Sequence, residues 1–304
     1  MSNFEAFSTA KPYFKGNLHT HSTISDGRQS PREVVKLYQE RGFDFLALTD
    51  HEVFSWWTEY DEKDFLILPG IEASGKAPGP YQCHHVVGIG NDQVQHKHLE
   101  RFDNSPFQGL TGAQSMVDYL DDQGYFTIYC HPVWSRQSFA EIEDLKRFRA
   151  IEVYNHSCHL ENCTGYASYY WDEFLRKGER IWGVASDDSH QIMEGDHAGG
   201  WVVVNAPALT VADIHNGLVQ GSFYFSNGPS IEAYGVKNGQ VYVRCSPAAS
   251  VHVITFERRG KSFHATGGNL LTEATHTLRG DEKYVRIEVV DERGRTAWSN
   301  PIFF

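Results

Sequence analysis

Short apolar runs recur along the first two thirds of the chain, and most of them end in a group of polar or charged side chains. We interpret these runs as strands, at residues 43–51, 65–72, 85–90, 125–132, 150–155, 180–190 and 200–204. Their hydrophobicity is continuous rather than alternating, which is typical of strands buried on both faces of a parallel sheet. The pattern therefore predicts a buried parallel sheet whose strand ends carry the polar chemistry.

Segments with the apolar spacing of a helix separate these strands. The clearest begins with the capping box Ser30-Pro31-Arg32-Glu33, and Gly42 ends it. Further helices are predicted at residues 111–123, 138–147, 166–177 and 210–219. This alternation indicates an α/β fold, and polar strand ends favour a closed parallel barrel with a site on one rim. An open doubly wound sheet is the alternative, but its glycine-rich turn after the first strand is missing.

The pattern of apolar and polar residues changes near Gly228. From Ile231 onwards, short runs of alternating polarity are separated by turn sequences such as Lys237-Asn238-Gly239. These runs lie at residues 240–245, 251–257 and 284–290. They predict a small antiparallel β domain. We therefore divide the chain into residues 1–230 and 231–304, and we expect the two parts to pack directly because no flexible linker separates them.

Composition and charge narrow the choice of partners. The chain has 304 residues, 40% of them hydrophobic, which is enough to bury a large core. No signal peptide or membrane span is readable, and five cysteines at irregular spacing fit a reducing cytoplasm. The net charge of −12 disfavours nucleic acid and anionic membranes as partners. A phosphorylated small molecule stays compatible, because bound divalent cations would reverse the charge of one pocket.

Candidate metal chemistry first appears at residues 16–27. His19 and His21 project to the same face of an extended strand, and Asp26 adds a carboxylate shortly after them. Imidazole suits divalent transition metals, and carboxylate oxygen is a harder ligand. Two surface histidines that alternate by chance are the alternative for an isolated pair. Thirteen of the sixteen histidines lie at or before His215, so the enrichment belongs to the first region.

Residues of metal-ligand type recur at the ends of later strands. The collected set is His19, His21, Asp26, His51, Glu72, His85, His131, Asp188 and His190. The ordered motifs H-x-H, T-D-H, G-I-E, H-V-V-G, C-H-P and D-D-S-H resemble those of the polymerase and histidinol phosphatase (PHP) superfamily of metal-dependent phosphoesterases. The likeness spans roughly residues 16–230. It implies a distorted seven-stranded TIM-like β/α barrel that binds two or three divalent ions, with zinc, manganese and iron all compatible with the ligands.

The resemblance also implies how the ions are held. One ion would be held by His19, His21, Glu72 and Asp188, a second by Glu72, His85 and His131, and a third by Asp26, His51 and His190. Glu72 would then bridge two ions, which its two oxygens allow. Water activated by the ions would attack the phosphoryl centre, and His190 is a candidate to protonate the leaving group.

The predicted function is therefore that of a metal-dependent hydrolase, most simply a phosphatase acting on a small phosphorylated metabolite or nucleotide. One branch of the superfamily has a similar trailing β domain and resembles carbamate or ester hydrolases, so that activity is an alternative on the same ions. A third reading, from a different class, is a binding module with a structural metal cluster.

Other residues have weaker predicted roles beside the metal cluster. Arg136 is a candidate for gripping a substrate phosphate, and a surface arginine beside a helix is its alternative. Asp50 and Asp187 are candidates for orienting ligand imidazoles. We interpret the aromatic segment 53–60 as part of the core, and a wall of the pocket is the alternative. Residues 156–163 contain four soft ligands, but their spacing is too short for a structural zinc site.

Overall fold

The computed structural model describes residues 3–76 and 83–304 of the chain. Its helices are α1 (Pro31–Gln39), α2 (Gly109–Asp122), α3 (Phe139–Ile142), α4 (His156–Asn162), α5 (Ser168–Arg176) and α6 (Val211–Val219), and a 3-10 turn lies at Thr58–Tyr60. The strands up to the middle of the chain are β1 (Phe4–Ser8), β2 (Tyr13–Asn17), β3 (Phe45–Ala47), β4 (Val53–Phe54), β5 (Leu66–Leu68), β6 (Gly70–Lys76), β7 (Cys83–Ile89), β8 (Glu100–Arg101), β9 (Phe126–Tyr129) and β10 (Ala150–Asn155).

The remaining strands lead into the C-terminal region. They are β11 (Trp182–Ser186), β12 (Trp201–Asn205), β13 (Phe223–Ser226), β14 (Ile231–Lys237), β15 (Gln240–Ala248), β16 (Ser250–Thr255), β17 (Lys261–His264), β18 (Leu271–Thr277), β19 (Tyr284–Val290), β20 (Thr296–Ser299) and β21 (Ile302–Phe303). None of the helices within the described ranges is long and apolar enough to cross a membrane.

The α/β class is confirmed, but a closed TIM-like barrel is not. Strands β11, β10, β9, β7 and β6 form one sheet in that order, while β12, β2, β3 and β5 belong to another. Strand β7 runs antiparallel to both β6 and β9. For β6 and β7 the physical reason is the short separation in the chain: β6 ends at Lys76 and β7 begins at Cys83, whereas parallel neighbours need a crossover of about a dozen residues or more.

The two sheets still bring their polar strand ends together. Isolated bridges pair Thr20 with Ser189 and His51 with Glu72 across the seams between the sheets. The backbone N–H of His21 donates to the carbonyl of Ser189 at 2.9 Å, which fixes one seam. The two sheets therefore meet along these bridges, and the polar strand ends lie at the edge where the sheets meet.

Helix ends follow the local sequence signals in most places. Ser30 begins α1 with the predicted capping box, in which its N–H and hydroxyl contact Glu33 at 2.8 and 2.7 Å. The predicted helix at 138–147 is shorter, because α3 covers only Phe139–Ile142. Helix α4 was not predicted, and it begins where the Asn155 side chain accepts a hydrogen bond from the N–H of Cys158 at 2.9 Å.

Strand pairing crosses the predicted division after residue 230. Strand β1 pairs antiparallel with β14, so the N-terminal strand belongs to the C-terminal sheet β1-β14-β15-β18. The other C-terminal strands extend the sheet of β12 and β2, because Phe225 of β13 pairs with Trp298 of β20. A chain terminus reaches a distant sheet by tertiary pairing, which local patterns do not record.

Candidate metal centre

The nine predicted ligands come from different elements and lie close together at the edge where the two sheets meet. His19 and His21 follow β2, and His51 follows β3. Glu72 lies within β6 and His85 within β7. The others lie after β9 and β11, at His131, Asp188 and His190, and Asp26 lies in the turn after His21. The strand ends thus bring residues that are far apart in the sequence to one place.

The innermost group consists of His19, His21, Glu72 and Asp188, all buried, whose ligand atoms lie within 4.8 Å of one another. His21 Nε2 lies 3.2 Å from Glu72 Oε2 and 3.1 Å from Asp188 Oδ1. His19 Nε2 lies 3.3 Å from Glu72 Oε1. This is the same set of four residues as the first predicted site.

A second group also contains Glu72. His85 Nδ1 lies 2.8 Å from Glu72 Oε1, and His51 Nδ1 lies 3.0 Å from Oε2. The ligand atoms of His51, Glu72 and His85 lie within 4.8 Å of one another. His131 Nε2 is more distant, at 3.5 Å from Glu72 and 3.8 Å from Asp188. Glu72 is thus common to both groups, and His51 lies nearer to it than the predicted His131.

The outer group reaches towards solvent. It combines Asp26, His51 and His190, as predicted, with His21 as a fourth member. His190 Nε2 lies 3.4 Å from Asp26 Oδ1, and His51 Nε2 lies 3.7 Å from Asp26 Oδ2. The Asp26 side chain is 55% exposed, so this group is the least enclosed of the three.

The electrostatics of the cluster are those of opposite charges forced into a small buried volume. Burial opposes ionisation of Glu72, yet the imidazoles of His19, His85 and His51 hold its pKa well below the usual value. Burial would likewise lower the pKa of His19, but Asp188, Glu72 and Glu152 raise it well above 6.5. In the absence of a metal ion, these groups therefore favour anionic carboxylates beside protonated imidazoles.

The donor set fits divalent cations. Glu72 Oε2 and His51 Nδ1 are buried and 3.0 Å apart, yet neither makes a hydrogen bond. Buried polar atoms of this kind are costly unless another partner satisfies them. Mixed imidazole and carboxylate ligands are the usual partners of zinc, manganese and iron. The clusters thus indicate a metal-binding site.

A cavity of about 510 Å³ opens above the cluster. Its lining includes Glu72, His85, His131 and Asp188 from the cluster, together with Trp134, Ile192 and Met193. Glu161 and Asp196 are also part of the lining, and Trp134 donates its indole N–H to Glu161 at 2.7 Å. The described lining includes neither lysine nor arginine.

The residues with weaker predicted roles, other than the metal ligands, lie in several different environments. Arg136 is exposed and is not among the described residues that line the cavity. The Asp50 carboxylate holds the turn at Ser22 and Ser25, and Asp187 accepts hydrogen bonds from the N–H groups of residues 198–200. Neither carboxylate hydrogen-bonds a ligand imidazole among the described contacts, and their orienting role stays a prediction. The aromatic segment 53–60 packs in the core, as the packing interpretation expected.

Two residues that contact the site were not predicted from the sequence. Glu152 of β10 is fully buried and contacts His19 Nδ1 at 2.9 Å. The available signal was a carboxylate in the middle of an otherwise apolar strand, which is costly without partners. Trp134 was also missed, and nothing in the sequence distinguishes it from a packing tryptophan.

Comparison with known proteins agrees with the cluster. The family model for the PHP domain matches residues 17–187. A 5'-3' exoribonuclease of Haemophilus influenzae is 34% identical over 87 residues, covering 27% of this chain and 31% of that protein. The DNA polymerase/3'-5' exonuclease PolX of Bacillus subtilis is 45% identical over 40 residues, or 13% of this chain and 7% of that protein. The matches therefore span less than a third of the length of either relative.

Solved structures of similar proteins include a two-domain protein from Bacteroides vulgatus, described as containing a predicted PHP-like metal-dependent phosphoesterase. It has a TM-score of 0.49 and 16% identity, and the match covers 96% of this chain and 94% of that one. Endonuclease Q of Pyrococcus furiosus has a TM-score of 0.45 and 11% identity, with 68% and 56% of the two chains covered.

Proposed function

The chain belongs to the PHP domain family of metal-dependent hydrolases, and from that premise we propose that it is a phosphatase acting on a small phosphorylated molecule. The observation that carries the proposal is the position of Glu72. Each of its two oxygens lies within 3.3 Å of one imidazole from the innermost group and one from the second group, and Glu72 lines a cavity that opens to solvent. Closed structural metal sites do not leave such an approach, whereas catalytic sites do.

We assign the ligands from the three clusters. His19, His21, Glu72 and Asp188 would hold one ion. Glu72, His85 and either His51 or His131 would hold a second, and His21, Asp26, His51 and His190 offer a third position. Bound ions of this kind supply Lewis-acid activation of the attacking water and offset the charge of the phosphoryl oxygens.

His190 is the proposed proton donor to the leaving oxygen. It lines the cavity, and its Nδ1–H donates to the backbone carbonyl of Asp188 at 2.9 Å, which leaves Nε2 near Asp26. Burial would lower the pKa of His190, but Asp26 and Asp188 raise it to about 9. The imidazole therefore carries a proton at neutral pH when no ion occupies the outer group, and it can release that proton towards the cavity.

The cavity supports a small substrate. Its volume of about 510 Å³ lies in the range of small-molecule sites. Trp134, Ile192 and Met193 provide apolar surface in the same cavity, which suits the organic part of a monoester. Glu161 and Asp196 add acidic groups to the lining beyond the predicted ligands, which disfavours the repeated phosphates of a long nucleic acid.

A nucleic acid end is the second candidate substrate. The specific observation in its favour is the 34% identity to a protein named as a 5'-3' exoribonuclease. A terminal phosphodiester could present a single phosphate to the same cluster. Carbamate or ester hydrolysis is the third candidate reaction, because the same ions can activate water for attack on an acyl centre.

The test is a substrate panel on the metal-loaded protein. Phosphate monoesters, a 5'-phosphorylated RNA oligomer, and aryl esters with carbamates are compared by kcat/KM, and we expect the monoesters to be best. His21→Ala should abolish turnover, while His264→Ala, an exposed substitution in strand β17, should leave it unchanged. Turnover that survives in H21A would contradict the metal-centred proposal, and a better kcat/KM on RNA or on carbamates would replace the monoester assignment.

A further inference from the structure

Glu152 is a buried carboxylate that receives four hydrogen bonds directly behind the metal cluster. Oε1 contacts His19 Nδ1 at 2.9 Å and accepts from the hydroxyl of Ser186. Oε2 accepts from the backbone N–H of His131 and from Asn155 Nδ2, at 2.9 and 2.8 Å. The side chain of Glu152 is 1% exposed, so no solvent competes for these contacts.

This arrangement determines which nitrogen of His19 carries a proton. An ionised carboxylate can only accept, so the His19 nitrogen that faces it must be the donor. His19 Nδ1 is therefore protonated. Nε2 faces the innermost group, 3.3 Å from Glu72 and 3.2 Å from Asp188, and once an ion displaces the proton on Nε2 its lone pair is the one available to that ion.

We infer that Glu152 is a positioning residue for the metal centre: it holds His19 in the tautomer that binds metal through Nε2, and it ties that imidazole to the loops that carry His131 and Asp188. The inference rests on the metal-dependent function proposed above. The second link runs through Asn155, whose Nδ2 donates both to Glu152 and to Asp188 Oδ2, the latter at 3.1 Å. The Glu152 carboxylate thus aligns three predicted ligands, His19, His131 and Asp188, that come from different parts of the chain.

The charge of Glu152 also changes the strength of His19 as a ligand. A carboxylate behind a metal-bound imidazole increases its basicity and fixes its orientation, and losing such a partner typically costs about 10- to 100-fold in metal affinity. An amide in its place would keep the size but place an NH₂ group against donors, since both carboxylate oxygens accept hydrogen bonds.

Asp187 offers a matched control in the same region. It is also fully buried, and it accepts hydrogen bonds from three backbone N–H groups, from Asn17 and from Tyr38. It has no hydrogen bond to an imidazole among the described contacts. A role in packing alone would make substitutions of Glu152 and Asp187 similar in their effect on metal binding.

The first experiment measures Zn²⁺ affinity by chelator competition on the metal-free full chain. Glu152→Gln should weaken the tightest site by about 10- to 100-fold, Asp187→Asn should weaken it less, and Glu152→Asp, which keeps the charge, should recover part of the loss. Equal affinity of E152Q and wild type would overturn the inference, as would equal losses in E152Q and D187N. A wild type that binds no Zn²⁺ would instead contradict the proposed function.

The second experiment does not depend on whether a variant folds. In the ¹⁵N NMR spectrum of histidine-labelled wild-type protein, His19 Nδ1 should carry a proton that is protected from solvent exchange, both without metal and with Zn²⁺ bound. On Zn²⁺ addition, only the Nε2 resonance should show coordination. A deprotonated Nδ1, or coordination through Nδ1, would overturn the inference even if metal binding and hydrolysis were confirmed.

Discussion

Arg286 of β19 and Asp172 of α5 form a two-pronged ion pair, with Nε to Oδ1 at 2.9 Å and Nη2 to Oδ2 at 2.8 Å. The guanidinium also contacts Glu288 at 2.6 Å and lies 4.8 Å from the ring centre of Trp171. Arg286 is only 2% exposed. A buried, bidentate arginine of this kind joins the C-terminal sheet to a helix of the PHP region.

Replacing Arg286 with Met should destabilise the protein by about 3 kcal/mol, because two partly buried carboxylates would lose their buried partner. Chemical denaturation monitored by tryptophan fluorescence measures the change. Arg295→Met removes the 2.8 Å contact to Asp291 at a site where the arginine is 47% exposed, and it should cost less than about 1 kcal/mol. Equal losses in the two variants would contradict the special role of Arg286.

Removing the charge of Glu72 should lower the metal content of the protein. Glu72 contacts imidazoles of both inner groups, so Glu72→Gln weakens two ion positions together. Asp26 belongs only to the outer, exposed group, and Asp26→Asn should affect only the most weakly held ion. Elemental analysis after dialysis gives the ratio of metal to protein for each variant. A full complement of metal in E72Q would disprove the central position of Glu72.

Metal affinity should increase with pH. In the metal-free protein, burial opposes protonation of His19, His85 and His190, but neighbouring carboxylates raise the pKa of each. An incoming ion must displace these protons, so binding is weakened at low pH and strengthens towards pH 9, the approximate pKa of His190. Calorimetry in buffers of different ionisation enthalpy measures the protons released. Binding that is independent of pH between 6 and 9 would contradict this protonation state.

Shortening Trp298 should destabilise the fold without emptying the metal site. Its ring stacks on Phe225 at 5.3 Å and 12° and lies 6.2 Å from Tyr154. Trp298→Ala should cost about 3–5 kcal/mol because it leaves a large cavity, while Phe304→Ala, at a residue that is 42% exposed, should cost about 0.5 kcal/mol or less. Thermal unfolding and metal content are measured together. A folded W298A protein that has lost its metal would contradict this prediction, because it would show that the packing around Trp298 also determines the geometry of the metal cluster.

Predictions from the sequence were most successful where a local rule governs the residue. The capping box at Ser30, the strand at residues 150–155 and the helix that ends near Val219 depend on spacing and nearby side chains, and the structure places elements there. The ligand list also came from strand ends; eight of its nine members belong to the three groups, and His131 lies 3.5 Å from Glu72. The sequence did not predict that His51 lies nearer than His131 to Glu72, because these distances depend on how the two sheets meet.

The sequence by itself determined the α/β character, the antiparallel C-terminal strands and the residue types gathered at the metal rim, because each follows from periodicity or from side-chain chemistry close in the chain. The tertiary structure alone decided that the sheets meet at isolated bridges, that β1 pairs with β14, and that Glu152 lies behind His19. Those relationships join residues more than a hundred positions apart, or sheets whose contact is set by the packing of whole cores. A local pattern contains no information about which distant partner satisfies a buried group.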